Sequence, residues 1–464
     1  MSKTNRTEND SLGNVSVPAD AYYGAQTARA LVNFPISGLK SHPKMVQAVV
    51  LIKKAAAQAN HKLGGLEKRK SAAIVTACDK VLAGGFQDQF VVDVFQMGAG
   101  TAFHMNCNEV LANLAEEILG GKRGRYQLIH PNDDVNMGQS TNDVFPTVIR
   151  ISTLFLLEGL IDTLKNIERS FLAKAKEFDK VLKSGRTHLQ DAAPIRLGQE
   201  FRAYSRTLTG CRNFLDQAAL SLLELGIGGS AVGTGLNTPA AYAENIIKNL
   251  SRLTGLKFKG SQDLREAMQS MRPMAEVSAA LRNIALEMNR ISNDLRLLSS
   301  GPKTGLAEIK LPAVAPGSSI MPGKVNPSML EMMNMVCYQV IGCDHTVSGA
   351  VQAGQLELNV MMPVIAFNLC FMIEILTNAL KQVKTRCIEG IEANVEVCQE
   401  YAKKSMGLAA ALSPYIGYSK AAEVAKRSLE EGRPLIEIVQ EKGWLTKNEL
   451  KEILDPKKMT EPNL

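Results

Sequence analysis

Seven apolar residues between Met274 and Ser300, namely Val277, Leu281, Ile284, Met288, Ile291, Leu295 and Leu298, recur at intervals of 4, 3, 4, 3, 4 and 3. That spacing puts all of them on one stripe of an α-helix, and three heptads of it call for a neighbour lying alongside at a shallow crossing angle. At 1.5 Å per residue such a helix is roughly 40 Å long, too long for a small globule, so the chain is expected to build an elongated bundle. The stretch from Pro146 to Lys180 repeats the pattern, with Leu157, Leu160, Leu164, Ile167, Phe171 and Phe178 on one face. Val336–Ile388 supplies a further helical pair, so at least five long helices are expected. Their apolar faces exceed what one bundle would hide, which points to a core shared between chains. Few stretches alternate with period two, so little sheet is expected. The predicted class is mainly α.

The rest of the chain divides around this bundle. Residues 1–142 begin with turns and short extended pieces punctuated by Pro18, Pro35 and Pro43, and helical periodicity starts near Met45. A shorter helix is expected over Lys68–Ala83. Residues 143–394 hold the long helices, including one over roughly 198–225. After Asn394 the helices shorten between turns at Ser413-Pro414, Gly432-Arg433-Pro434 and Gly443-Trp444, so residues 395–464 form a small C-terminal helical domain. Aromatics make up only 5%, while Leu, Ala, Met, Lys and Glu dominate, which agrees with a helical reading.

Four polar loops interrupt the scaffold, at 97–109, 136–147, 184–191 and 317–326. The last reads G-S-S-I-M-P-G-K-V-N and combines hydroxyls, an amine and an amide between two glycines and a proline. Neutral donors with one point charge suit a small polyanion. Other chemistries find less support. The net charge of +7 comes without a Lys/Arg stripe interleaved with aromatics, so no nucleic acid is expected. His104 and Cys107 are three apart, yet no second pair completes a metal site, and neither metal nor cofactor is expected. The run G-I-G-G-S-A-V-G-T-G-L-N-T-P at 226–239 follows a helix rather than a strand, which favours a flexible turn joining bundle helices over a nucleotide loop. Eight cysteines, at 78, 107, 211, 337, 343, 370, 387 and 398, form no C-x-x-C pair and read as buried free thiols. The polar start M-S-K-T-N-R-T-E-N-D lacks the apolar core of a signal peptide, and the apolar runs at Leu154–Leu157 and Val360–Phe371 are too short or interrupted for a bilayer. A cytoplasmic protein without a membrane partner is expected.

The loop G-S-S-I-M-P-G-K-V-N matches in full the signature G-S-S-x-M-P-x-K-x-N of the fumarase/aspartase superfamily. Tyr22–Arg29, Gly100-Thr101, Gln139–Asp143, Gly185–Gln190, Gly233–Asn237 and Gly354–Val360 resemble further motifs of that superfamily, in the same order. The resemblance implies three domains, a central five-helix bundle, and a homotetramer with a twenty-helix core and active sites built from loops of three subunits. It implies a small dicarboxylate substrate, from which a proton is taken beside one carboxylate to give an aci-carboxylate. Ser318 is then the expected base. Thr187, His188, Lys324 and Asn326 are expected to clamp the other carboxylate. Thr101, Ser140, Thr141 and Ser319 are expected around the aci-carboxylate and leaving group, and His188 resembles the histidine of a His–Glu pair with Glu331. Ser140 or Thr141 can also cap the helix that begins near Val144.

The leaving group depends on finer features. Tyr22-Tyr23, S-T-N-D at 140–143 and G-Q-L-E-L-N-V-M at 354–361 resemble aspartases, so the implied activity is aspartate ammonia-lyase. The alternatives are a class II fumarate hydratase and a lyase acting on a substituted aspartate. The last is raised by Ala102-Phe103-His104, where the superfamily places small or polar residues. Ala102 removes a polar group from the expected substrate neighbourhood, and His104 either replaces it or faces the helix below.

Overall fold

The computed structural model describes residues 5–462. Among them helices dominate, and the strands form only two-stranded pairs. The chain opens with the antiparallel hairpin β1 (Asn5–Asp10) and β2 (Gly13–Pro18), followed by α1 (Ala25–Asn33), α2 (Pro43–Lys62), α3 (Lys68–Leu82) and α4 (Thr101–Ile118). Helix α1 arises where only turns and extended pieces are expected from the sequence. Its N-cap is Gly24, which has no side chain to offer. The missing acceptor comes from Glu109 on α4, whose carboxylate accepts the Gly24, Gln26 and Thr27 N–H groups and the Thr27 hydroxyl.

Five helices are 24 residues or longer: α5 (Thr141–Glu177), α6 (Leu197–Leu220), then, after the shorter α7 (Tyr242–Thr254) and α8 (Leu264–Gln269), α9 (Arg272–Leu298), α10 (Ser328–Gln352) and α11 (Met362–Arg386). All seven heptad residues of α9 are buried. Polar contacts set its register against α10: Ser278 donates to Asp344 at 2.6 Å, and Asn334 donates to Asn289 at 2.6 Å. Helix α5 meets α6 through an aromatic cluster of Phe171, Phe178, Phe201 and Tyr204, with centroids 5.2–6.1 Å apart. The chain separates into two compact units, residues 1–161, 213–285 and 338–377 in one and residues 162–212, 286–337 and 378–464 in the other, and each of the five long helices has residues in both. Helix α5 and the stretch Met362–Gly390 are long and apolar enough to cross a membrane, unlike the shorter runs read from the sequence; 67% of each apolar window is buried in the fold, as in core helices.

Between α5 and α6 lies the hairpin β3 (Leu182–Thr187) and β4 (Gln190–Arg196), where a polar interruption is expected from the sequence. Helices α12 (Val395–Lys404), α13 (Leu408–Ile416), α14 (Tyr418–Glu431), α15 (Leu435–Glu441), α16 (Lys447–Ile453) and α17 (Pro456–Met459) close the chain. From α13 onward they gather a core of their own around Leu412, Val424, Ile438, Val439 and Leu450, with Trp444 packed against it. All eight cysteines are free, seven of them buried.

Candidate active site

The segment Gly317–Asn326 is a largely exposed loop pinched at its base. The Gly317 N–H donates to the Lys324 carbonyl at 2.9 Å, and the Asn326 side-chain amide donates to the Gly317 carbonyl at 2.6 Å. Its two glycines serve different purposes. Gly323 has φ +80°, which L-residues adopt at a cost. Gly317 lies outside that region; it is needed because a Cβ there would sit 2.2 Å from the Lys324 carbonyl oxygen. The pinch turns Ser318 inward on its own loop, so that its Oγ accepts the Ile320 and Met321 N–H groups at 3.2 and 3.0 Å. Ser319 and Lys324 are exposed, and no side-chain partner is seen for either among the described residues.

Thr187 and His188 stand at the tip of the β3–β4 hairpin, both exposed. The two-residue turn is His188-Leu189, with φ +55° and +59°. A turn of this hand normally takes Asn-Gly or Asp-Gly, and each non-glycine residue held there costs about 1–3 kcal/mol. The hairpin is braced by a buried charge cluster. Lys183 and Arg186 are three apart and would face opposite sides of a regular strand, but the register slips between Ser184 and Arg186. Both then reach Glu308, at 3.1 and 2.9 Å, and Lys183 also pairs with Glu200 at 2.8 Å. Glu308 is fully buried, and it lies nine residues before Gly317. Burial pushes the Glu200 carboxyl up against the pull of Lys183.

Of the four donors expected around the aci-carboxylate and leaving group, Ser319 lies in the signature loop and the other three lie at two helix starts. Thr101 opens α4 after a tight turn in which Ala99 and Gly100 have φ +61° and +88°; a Cβ on Gly100 would strike the Phe145 ring at 2.3 Å. The Ala99 N–H donates to the Val360 carbonyl, which sets the 354–361 segment against this turn. Ser140 does cap α5: its Oγ accepts the Asn142 N–H, while the Ser140 N–H donates to Asp143. Thr141 is already inside the first turn. Asp143 is buried and also accepts the Gly228 and Ser230 N–H groups at 3.0 Å. The glycine-rich segment is therefore clamped at its start by a carboxylate, in contrast to the flexible turn expected from its sequence. Burial pushes the Asp143 carboxyl up to about 6 against these three donors.

The altered triplet on α4 resolves into three separate roles. Ala102 is buried and packs with Ala30, Val92 and Phe34. Phe103 meets Phe145 edge-on at 5.9 Å. His104 is buried, and its Nδ1 lies 2.8 Å from Thr141 Oγ1 while its Nε2 lies 2.5 Å from Lys53 Nζ. Lys53 was not singled out from the sequence, although its helical phase identifies it. Val49, Val50, Ala56, Ala57 and Asn60, at 3, 4 and 7 residues from it, are all buried.

Thr101, Ser140 and Thr141 thus belong to one compact unit, and Thr187, His188, Ser318, Ser319, Lys324, Asn326 and Glu331 to the other. Among the described residues no hydrogen bond or ion pair joins His188 to Glu331 within the chain, and Glu331 sits half-buried in the first turn of α10. His130 uses its Nδ1 to accept the Asn132 and Asp133 N–H groups. A cavity of about 540 Å³ opens between His42, Phe90, Phe145 and Phe367, and none of the candidate residues lines it.

Comparison with known proteins places the chain as a whole. Residues 13–342 match the lyase family, and residues 408–461 match the fumarase C C-terminus family. The aspartate ammonia-lyase of Bacillus subtilis is 49% identical over 462 residues, covering 100% of this chain and 97% of its own. That of Escherichia coli is 47% identical, with 100% and 97% covered. Among solved structures, a fumarate lyase:delta crystallin from Brucella melitensis, bound to cobalt, superposes with a TM-score of 0.96 at 49% identity, covering 99% of this chain and all of its own. A class II fumarase from Schistosoma mansoni superposes with a TM-score of 0.95 at 38% identity, with 99% and 100% covered. On sequence and fold together, the chain belongs to the fumarase/aspartase superfamily of lyases.

Proposed function

We propose that this chain is an aspartate ammonia-lyase, which eliminates ammonia from L-aspartate reversibly, in the anti sense, to give fumarate. The observation that carries the leaving group is the identity of 47–49% to aspartate ammonia-lyases across essentially the whole length. The geometry of the signature loop supports the first step. Two backbone N–H groups aimed at Ser318 Oγ favour an alkoxide over a hydroxyl, because a charged acceptor makes the stronger hydrogen bond. Ser318 takes the proton from the carbon beside one carboxylate, and the electron pair moves into that carboxylate as an aci-carboxylate dianion. Thr101, Ser140, Thr141 and Ser319 donate to the developing charge, while Thr187, His188, Lys324 and Asn326 hold the second carboxylate. The pair then returns to form the double bond as the carbon–nitrogen bond breaks and ammonia leaves with its electrons.

The site is assembled from three chains of a cytoplasmic homotetramer, whose twenty-helix core is built from the five long helices of each three-domain subunit. Exposed apolar residues on those helices support this assembly: Phe214 and Leu220 on α6, Leu286 and Leu297 on α9, Met335 and Tyr338 on α10. A pair formed between subunits fits the lack of a His188–Glu331 hydrogen bond or ion pair among the described residues. The test is formation of fumarate, followed by its ultraviolet absorbance, from L-aspartate and separately from L-malate. Turnover of aspartate is expected, and turnover of malate alone would replace this reading with the hydratase.

A further inference from the structure

Lys53 on α2 is completely buried, and three groups surround its Nζ: Asn136 Oδ1 at 3.0 Å, Gln139 Oε1 at 2.9 Å and His104 Nε2 at 2.5 Å. The two amides cannot turn their nitrogens inward without losing partners. Asn136 Nδ2 donates to the Gln139 carbonyl, and Gln139 Nε2 donates to the Val135 and Met137 carbonyls. An ammonium at this position therefore spends its three hydrogens on two amide oxygens and on His104 Nε2. The imidazole must then carry its single proton on Nδ1 and donate it to Thr141 Oγ1. The Thr141 hydroxyl hydrogen is left free to point outward.

A neutral amine reverses the chain. Its two hydrogens go to Asn136 and Gln139, its lone pair accepts the proton on Nε2, and Nδ1 is bare. Thr141 then donates inward and presents only lone pairs to a ligand. We propose that Lys53 and His104 are positioning residues that set the direction of the Thr141 hydroxyl, holding it as a donor to a bound dicarboxylate while Lys53 keeps its proton. This deepens the lyase reading and rests on its placement of Thr141 beside the substrate.

The surroundings let one proton decide the matter. Burial pushes the Lys53 ammonium down to about 7, opposed by Cys107 on α4, Asp143 on α5 and Cys78 on α3. Burial pushes the Cys107 thiol up to about 12 and the Cys78 thiol up as well, so both are neutral, and Asp143 supplies the facing negative charge. Burial and the neighbouring Lys53 hold His104 well below its ordinary value, so the ring stays neutral and relays direction without storing charge. A dicarboxylate accepting from Thr141 favours the protonated state of Lys53. Binding just above neutral pH must therefore draw a proton from solution.

Isothermal titration calorimetry of the assembled protein with succinate, an unreactive dicarboxylate, measures this at pH 8 in phosphate and in Tris. The difference in apparent enthalpy between the two buffers counts the protons taken up. Wild type is expected to take up roughly 0.9 proton per site more than Lys53→Met. Thr141→Val, which leaves the buried lysine in place, is expected to lose the same uptake and to bind succinate about tenfold more weakly. A purely structural role for Lys53 leaves the proton uptake of Thr141→Val at the wild-type value even as the lost hydroxyl weakens binding, so the uptake of that variant decides the question even where Lys53→Met fails to fold. Equal uptake in wild type and Thr141→Val would overturn the proposal while leaving the lyase reading intact. A wild-type protein that neither binds succinate nor forms fumarate from aspartate would overturn both.

Discussion

Gly317→Ala is the sharpest perturbation of the signature loop. The added methyl would lie 2.2 Å from the Lys324 carbonyl oxygen and 2.7 Å from the Asn326 nitrogen, both backbone atoms that cannot swing aside. Reaching an ordinary contact of 3.4 Å requires the loop base to open by about 1.2 Å. The two hydrogen bonds of the pinch are lost with it, at a net ~0.5–1.5 kcal/mol each. Because the loop is exposed and carries little of the core, global stability should hardly change, with Tm lower by less than ~2 °C. Catalysis is a different matter, since Ser318 is the next residue. A displacement of this size costs on the order of 10²-fold in kcat. Gly323→Ala is the internal control: its Cβ meets open space, and only the left-handed backbone, worth about 1–2 kcal/mol, opposes it. Its kcat should fall by no more than about 5–30-fold even if all of this local strain is felt in the transition state. Fumarate formation and thermal melts on both variants decide the issue. A Gly317→Ala enzyme with wild-type kcat, or two variants equally impaired, would refute the reasoning.

Three further outcomes follow from buried charges. Glu308→Gln removes the carboxylate that pairs with both Lys183 and Arg186, leaving Lys183 with Glu200 alone, so urea denaturation should report a loss of about 3–5 kcal/mol together with a lower kcat, because the hairpin carrying Thr187 and His188 loses its brace; unchanged stability would count against the cluster. Asp143→Asn turns an NH₂ either toward the Ser140 N–H or toward the Gly228 and Ser230 N–H groups, which share one oxygen, and should cost ~2–3 kcal/mol, with faster amide exchange on the side that loses its acceptor as the local signature. The folded value of Lys53, about 7, lies below its ordinary 10.5, so the unfolded chain binds the extra proton between the two, and this residue's contribution to stability rises with pH across that window. The unfolding free energy of wild type minus that of Lys53→Met should therefore grow from pH 7 to pH 9, with a slope approaching ~1.4 kcal/mol per pH unit; a flat difference would show that Lys53 is not held in this state.

What could be read from the sequence was what is encoded locally. The heptad stripe of α9 and the apolar face of α5 are properties of a few turns each, and both are buried as their spacing requires. The signature loop is contiguous, so its composition and pattern could be read before any fold is known. The hairpin tip was illegible because His188-Leu189 occupies a turn without glycine or asparagine, and the strain is held by Glu308, more than a hundred residues away. Helix α1 was missed for a similar reason: Glu109, its cap, is 84 positions after Ala25. The Lys53–His104–Thr141 chain joins three elements, and the sequence offered only the phase of Lys53 within α2. The sequence allows His104 two uses, and the fold gives it a third, contact with both Lys53 and Thr141.

The central claim is that Ser318 removes a carbon-bound proton from L-aspartate. Ser318→Ala tests it most directly, with fumarate formation from L-aspartate and succinate binding measured on the same preparation. The account predicts a fall in kcat of ~10²–10⁴-fold with succinate affinity within about threefold of wild type, since the base is a group needed in the transition state and not for holding the second carboxylate. Fumarate formation at the wild-type rate by Ser318→Ala would contradict it.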